Sequence, residues 1–318
     1  MTTYIIRRLL QAVLVLILVT VFVFIAMRML PGDPILIYLS GSETESMTAE
    51  QLTILKQQFG LDKSLPLQYI NWLSGLFRGD FGTSIHYGES VARLLAERIP
   101  VTLHVGFISF FISSLFGILF GLIAALRRGT WLDNIVTALA NFGVATPNFW
   151  LGILMIYLFG LYLGWLPTQG YISPFDDFWL STRKLVMPVF VLATFSMAFL
   201  SRQTRSSILE VIRQDYVRTA WAKGLSERAV VIRHVMKNGL IPVITVMGMG
   251  LSHLIGGSVI VENVFGIPGM GRLMVSSVFG QDYQVVQACV LVIAIVVVFA
   301  NLMVDVVYGW LDPRIKYG

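Results

Sequence analysis

The chain has 318 residues, 56% of them hydrophobic and 13% charged, with a formal net charge of +5. Counting its 28 glycines takes the apolar share to about two thirds, against about 45–50% apolar and 25% charged in soluble domains on the same count. That excludes a soluble enzyme, a disordered chain and, with Cys289 the one cysteine, a disulfide scaffold; it leaves an all-α integral membrane protein. The basic balance fits Lys and Arg gathered in loops at one face of a bilayer. It does not point to nucleic acid, since no basic run interleaves with stacking aromatics.

A spanning helix needs about 20 apolar residues, and six stretches qualify: 9–30, 101–126, 135–163, 185–200 with a continuation to 208, 240–261 and 285–310. The first starts after Arg7 and Arg8, as a secretory leader would. Its apolar run is too long for one, and it ends in Pro31-Gly32-Asp33-Pro34 without small cleavage residues, so it reads as a retained anchor. Arg28 near its end is expected to snorkel to the interface. In the second span Gly117 and Gly121, one turn apart, suit close helix packing, and His104 at its outer edge reads as structural. Pro147 is expected to kink the third span. In the sixth, Asp305 shares a face with Asn301 and is expected to pair within the bundle.

Basic residues in short loops set the orientation. One side holds Arg7, Arg8, Arg127, Arg128, the eight bases from Arg202 to Lys237, Arg314 and Lys316, 14 in all; the short loops of the other hold Arg183, Lys184 and Arg272. Six spans with both termini in the cytoplasm follow, with Ser226 inside and Ser84 outside. The organisation is then a cytoplasmic start and first helix (1–30), an extracytoplasmic polar segment (31–100) and a five-helix core (101–318) carrying a cytoplasmic loop at about 210–242.

That loop is the most informative stretch. A helical pattern runs from 203 to 222 with Ile208, Val211, Ile212 and Val217 as apolar positions, and Gly224 ends it. Ser226 is placed to cap a second helix over 227–238. Gly239 and Pro242 break that helix before the fifth span. The pattern alone fits equally a cytoplasmic knob or a helix pair lying on lipid headgroups.

The residues Asp215-Tyr216-Val217-Arg218-Thr219-Ala220-Trp221-Ala222-Lys223-Gly224-Leu225-Ser226, followed by His234, Asn238 and Pro242, resemble the EAA loop of ABC importer permeases. The late proline, with His234-Val235-Met236-Lys237 where a general EAA loop has its Ile-x-Leu-Pro ending, resembles the dipeptide/oligopeptide/nickel branch. Pro31-Gly32-Asp33-Pro34 after Arg7-Arg8-Leu9-Leu10 is similar to its B-type subunit. Residues 262–273 (Glu-Asn-Val-Phe-Gly-Ile-Pro-Gly-Met-Gly-Arg-Leu), Asp305-Val306-Val307-Tyr308 and Asp312-Pro313-Arg314-Ile315 extend the resemblance along the whole chain.

The resemblance implies a type I ABC importer permease (MetI-like) fold in a prokaryotic inner membrane. It implies a second homologous permease, two cytosolic ATPases that bind ATP and Mg on this chain's behalf, and an extracytoplasmic binding protein delivering di- or oligopeptides. Glutathione, nickel complexes or oligosaccharides are the alternative cargoes. Arg218, Thr219, Ala220, Lys223, Gly224 and Leu225 would form the ATPase-coupling segment, with Ala220 and Gly224 on one face admitting another backbone. Pro268, Gly269 and Gly271 would face the binding protein or the gate, and His253 among its glycines is the pathway candidate.

An enzyme reading finds no support. No His-Glu-x-x-His, Gly-x-Ser-x-Gly or Gly-x4-Gly-Lys-Ser/Thr run occurs, and no metal-ligand spacing is present. A passive channel would need no cytoplasmic lever, so the EAA-like loop argues against it.

Overall fold

The structure is a computed structural model that describes residues 2–31, 35 and 49–311; residues 2–5, 49–52, 58, 251–255 and 305–311 are described by backbone alone. All regular elements among these are helical: α1 (Thr2–Arg28), α2 (Ala49–Gln58), α3 (Leu65–Leu76), α4 (Val91–Leu126), α5 (Trp131–Ala145), α6 (Asn148–Tyr162), α7 (Phe178–Ile212), α8 (Asp215–Ala222), α9 (Glu227–Gly239), α10 (Ile241–Val264), α11 (Met270–Phe279) and α12 (Tyr283–Leu311). The end of α6 is π-helical over Ile156–Tyr162, and so is the middle of α9 over Val231–Met236. Pro34 and residues 312–318, which carry two of the sequence blocks above, lie outside the described residues.

The spans depart from expectation in instructive ways. Four helices are long and apolar enough to cross a membrane singly, in α1, α4, α7 and α12, and the number rises to as many as six if each of two bent pairs, α5 with α6 and α9 with α10, is one span. The expected third span, kinked at Pro147, is instead α5 and α6, which meet at 105°. The break falls at Thr146 and Pro147, where extended backbone (ψ 122° and 133°) replaces the helix; this is a corner, not the expected kink. Helix α4 starts at Val91, ten residues before the expected 101, because Pro100 is accommodated inside it. One proline removes one N–H bond, which the long apolar helix tolerates. Helix α7 likewise starts early, at Phe178, where the Asp177 side chain accepts from the Leu180 amide at 2.9 Å and caps it. The expected continuous helix over 203–222 breaks between α7 and α8.

The described chain divides into two compact units, one of residues 1–102 with 268–296, the other of 103–267 with 297–318. This cuts across the sequence-based division at residues 30 and 100: the described part of the 31–100 segment clusters with the first helix and with part of the fifth loop. In the first unit Val91, Leu94 and Leu95 of α4 meet Met270 and Leu273 of α11 and Val285, Ala288 and Cys289 of α12. The loop before α4 is pinned to the start of α12. The buried Asp282 carboxylate accepts from the Ser84 hydroxyl and, at 3.2 Å, from the His86 amide. Arg28 does not snorkel freely; its guanidinium donates to Gln68 Oε1 of α3 at 2.8 and 3.0 Å and lies 3.4 Å over the Phe24 ring.

In the second unit α7 is the central helix. A Cβ at Gly117 of α4 would come within 2.8 Å of Leu200 Cβ, and one at Gly121 within 2.5 Å of the Ser201 carbonyl. The expected close packing is there, and it is backbone against backbone. On its other side Arg205 of α7 donates to both carboxylate oxygens of Asp133 of α5, at 2.7 and 2.9 Å. His104, expected to be structural, has Nδ1 2.9 Å from the Tyr171 hydroxyl.

Candidate functional site

Beyond Ile212 the chain turns at Arg213 and Gln214 and enters α8, an amphipathic helix of two turns. Val217 and Ala220, 0% and 5% exposed, point into a small aliphatic core with Ala125, Ile208, Val230 and Val235. Flanking that buried side stand Tyr216 and Trp221 and, past the helix end, Leu225, each about 40% exposed. Apolar side chains held in the open next to a packed core are a surface that favours a partner.

The end of α8 is a Schellman turn. The Gly224 amide donates to the Trp221 carbonyl at 2.9 Å and the Leu225 amide to the Ala220 carbonyl at 3.4 Å, with Gly224 at φ +77°. That φ is one L-residues rarely adopt. Nothing lies within 4 Å of where a Cβ would stand, so the glycine answers to the turn and leaves its outer side clear. Ser226 then leads into α9 in extended backbone, as expected of a capping position, but its side chain makes no cap bond.

Two bonds fix the helix pair to itself and to α7. Asn238 of α9 donates to the Tyr216 hydroxyl at 3.0 Å, and Ser207 of α7 donates to the Gly239 carbonyl at 2.7 Å. At Gly239 a Cβ would stand 2.7 Å from Ile208 Cδ1, so the backbone of α9 is seated directly on the Ile208 side chain of α7. The pair is therefore a compact knob with its own core.

The structure gathers the six coupling residues on this knob but sorts them differently from the sequence reading. Arg218, Lys223, Gly224 and Leu225 are exposed, and Arg218 makes only an open contact to Asp215 at 3.6 Å. Thr219 is exposed and its hydroxyl donates back to the Asp215 carbonyl at 2.9 Å. Ala220 belongs to the inside. The expected Ala220–Gly224 face does not exist, because Ala220 is buried in the chain's own core and Gly224 lies beyond the last helical turn. The side chains that sequence reasoning left out are Tyr216 and Trp221. Their signal was present: two aromatics, each next in sequence to a buried apolar position of a short amphipathic helix.

The second group behaves differently again. Pro268, Gly269 and Gly271 are not an exposed turn: Gly269 and Gly271 are buried and Pro268 is half-buried. Gly269, extended at φ −101° and ψ −175°, starts α11, a ten-residue helix inside what the sequence suggested was a loop. The Met270 amide donates to Thr102 Oγ1 at 2.8 Å, and Arg98 Nη1 reaches the Pro268 carbonyl at 3.4 Å. His253 lies on α10, where only its backbone is described. Among the described residues no cluster of His, Cys, Asp and Glu is arranged to hold a metal.

Compared with known proteins, residues 117–317 match the family described as binding-protein-dependent transport system inner membrane component, and residues 1–106 match the N-terminal domain of such membrane components. A Brucella abortus (strain 2308) permease protein assigned to a peptide transport system is 41% identical over 320 residues, covering all of both chains. The oligopeptide transport system permease protein AppB of Bacillus subtilis (strain 168) is 40% identical, again over all of both. The glutathione transport system permease protein GsiC of Salmonella choleraesuis (strain SC-B67) is 39% identical over 317 residues and all of both chains. Among solved structures, a chain of the MetNI methionine ABC transporter in an inward-facing form matches 69% of this chain and 96% of its own length, with a TM-score of 0.57 at 19% identity. That likeness extends to the fold alone.

Proposed function

Since this chain belongs to the binding-protein-dependent transport permease family, as a multi-pass membrane subunit that is not itself an enzyme, we propose that it forms half of the translocation pathway of an ATP-driven importer of di- and oligopeptides. A second homologous permease supplies the other half, two cytosolic ATPases bind ATP and Mg, and an extracytoplasmic binding protein delivers the cargo. The chain sits in a prokaryotic inner membrane with both termini in the cytoplasm, as the 14 to 3 distribution of bases supports.

The observation that carries the reading is the knob. Tyr216, Trp221 and Leu225 stand open on a rigid helix pair seated directly on α7. An ATPase groove that closes on that apolar edge moves the knob as one body, and the bond from Ser207 to the Gly239 carbonyl passes the movement to a membrane helix. Peptide is the cargo class because the relatives at about 40% identity over their full length are named for it. GsiC, named for glutathione, makes that peptide-like thiol the second reading.

The test is uptake into proteoliposomes holding the two permeases and the ATPases, with loaded binding protein outside and ATP within. Labelled di- to pentapeptides should accumulate and excess glutathione should compete weakly. Glutathione uptake with no peptide uptake would replace the cargo assigned here. Sidedness is read separately, on a Cys289→Ser background in intact cells. Ser84 is buried against Asp282 and unsuited to a probe, so the exposed Glu89 takes its place. An impermeant thiol reagent should label Glu89→Cys and spare Ser226→Cys.

A further inference from the structure

A recess of about 280 Å³ opens in the first unit between the start of α4 and α11, lined by Arg98, Arg272, Tyr87, Ser276, Pro268 and Leu273 among others. No carboxylate lines it among the described residues. Arg98 is half-buried, and its Nε is buried with no hydrogen-bond partner. Its one hydrogen bond is the 3.4 Å contact from Nη1 to the Pro268 carbonyl, and it makes no ion pair among the described residues. The carboxylates near it in sequence, Glu89 and Glu97, both lie against Arg93, at 3.9 and 3.3 Å. A guanidinium drawn partly out of water without a counter-charge is unfavourable, and no carboxylate among the described residues pairs with it.

Three further features share the sign of that charge or can donate. Arg272 lies in the first turn of α11, so the recess also adjoins a helix N-terminus, where amides and the helix dipole favour an anion. Ser276 Oγ donates to the carbonyls of its own helix, and the exposed Tyr87 hydroxyl, 3.2 Å from it, can turn outward to donate. The walls carry the apolar side chains of Pro268 and Leu273, so the recess suits a carboxylate borne on an organic residue better than a bare ion.

We infer that this recess is a carboxylate subsite that takes the free C-terminus of the peptide cargo, with Arg98 as the residue that receives it. The inference rests on the peptide reading above and adds to it a stated chemical group and a place. Arginine is the side chain suited to the task, since its planar fork can meet both carboxylate oxygens.

The experiment is uptake by the complete reconstituted complex, at saturating binding protein, of a labelled random tripeptide pool and of the same pool amidated at the C-terminus. Arg98→Gln should lower uptake of the free acids about tenfold, the loss of one charge-assisted contact, while amide uptake keeps its wild-type rate. The apparent affinity for loaded binding protein, read from ATPase stimulation, should hold. Arg98→Lys keeps the charge without the fork and should lose about threefold on the free acids alone; it carries the test if Arg98→Gln fails to assemble. Equal effects on acids and amides overturn the inference. So does a fall in binding-protein affinity, which would assign the recess to an acidic side chain of that protein. Wild-type complex that imports neither pool overturns the peptide reading, and the subsite with it; wild-type uptake of free acids unaltered in either variant overturns the subsite alone.

Discussion

Glycine does opposite work on α4 and on the knob that follows α7. Along the seam with α4, Gly117 and Gly121 are missing side chains: the backbone of α7 stands where their Cβ atoms would be. At the tip of the knob Gly224 is surrounded by open space, and what it provides is the positive φ that closes a Schellman turn. A membrane helix pair has no hydrophobic drive toward association beyond that of lipid, so close backbone approach is where its packing energy comes from. A turn in water has no such need. The first glycines hold the protein together, and the second leaves a surface free for something else.

Substitutions separate the two roles. The largest effect is expected for Gly121→Leu, which forces a side chain into the Ser201 carbonyl and into Thr204, 2.6 Å away at its Cβ. Rigid backbone cannot yield as a side chain would, so a loss of about 3 kcal/mol or more should appear as failure to purify a monodisperse permease. Gly224→Trp should do the reverse. The permease inserts, pairs and melts almost normally, with only about 1 kcal/mol for an L-residue at positive φ. A bulky group beside Trp221 and Leu225 should nevertheless weaken ATPase docking by about 3 kcal/mol, more than a hundredfold. Co-purification of the ATPases checks this; full recovery together with normal transport would move the coupling edge elsewhere.

Removing the counter-charge in Asp133→Ala leaves Arg205, about one third exposed, beside apolar neighbours. A loss of about 2 kcal/mol in thermal stability is expected, below the range for fully buried pairs because Arg205 keeps some water. Asp133→Ala with Arg205→Leu should recover part of it. The smallest effect belongs to Asp215→Asn on the knob. Its pair with Arg218 is open to solvent on both sides, and such pairs are worth little, so the melting temperature should stay where it is.

These contrasts also explain what the sequence could and could not disclose. The spans were legible as apolar runs, and Gly117 and Gly121 as a packing pair, because their one-turn spacing is a property of the helix itself. Gly224 was legible as a helix end for the same reason. The corner at Pro147 was underestimated, since a proline in an apolar run looks the same whether the helix bends or stops. Helix α11 was invisible: ten residues opened by glycines, too short to span, that take shape by packing Met270 and Leu273 on α4 and α12. The burial of Ala220 was misread because alanine suits a core and an interface equally. Choosing between them requires Val230 and Val235, brought back onto α8 by the turn at Gly224.

The ion pair between Asp133 and Arg205 joins residues 72 positions apart, and synthesis imposes an order on it. At roughly 5–20 residues per second, Arg205 leaves the ribosome about 4 to 14 seconds after Asp133. During that interval α5 has its acid and no cation to meet it. Asp133 stands in the first turn of its helix, close behind Arg127, Arg128 and the polar turn at Gly129 and Thr130. An acid placed there can stay hydrated at the membrane surface while the chain is still being made. The same acid two turns deeper would have to enter lipid alone.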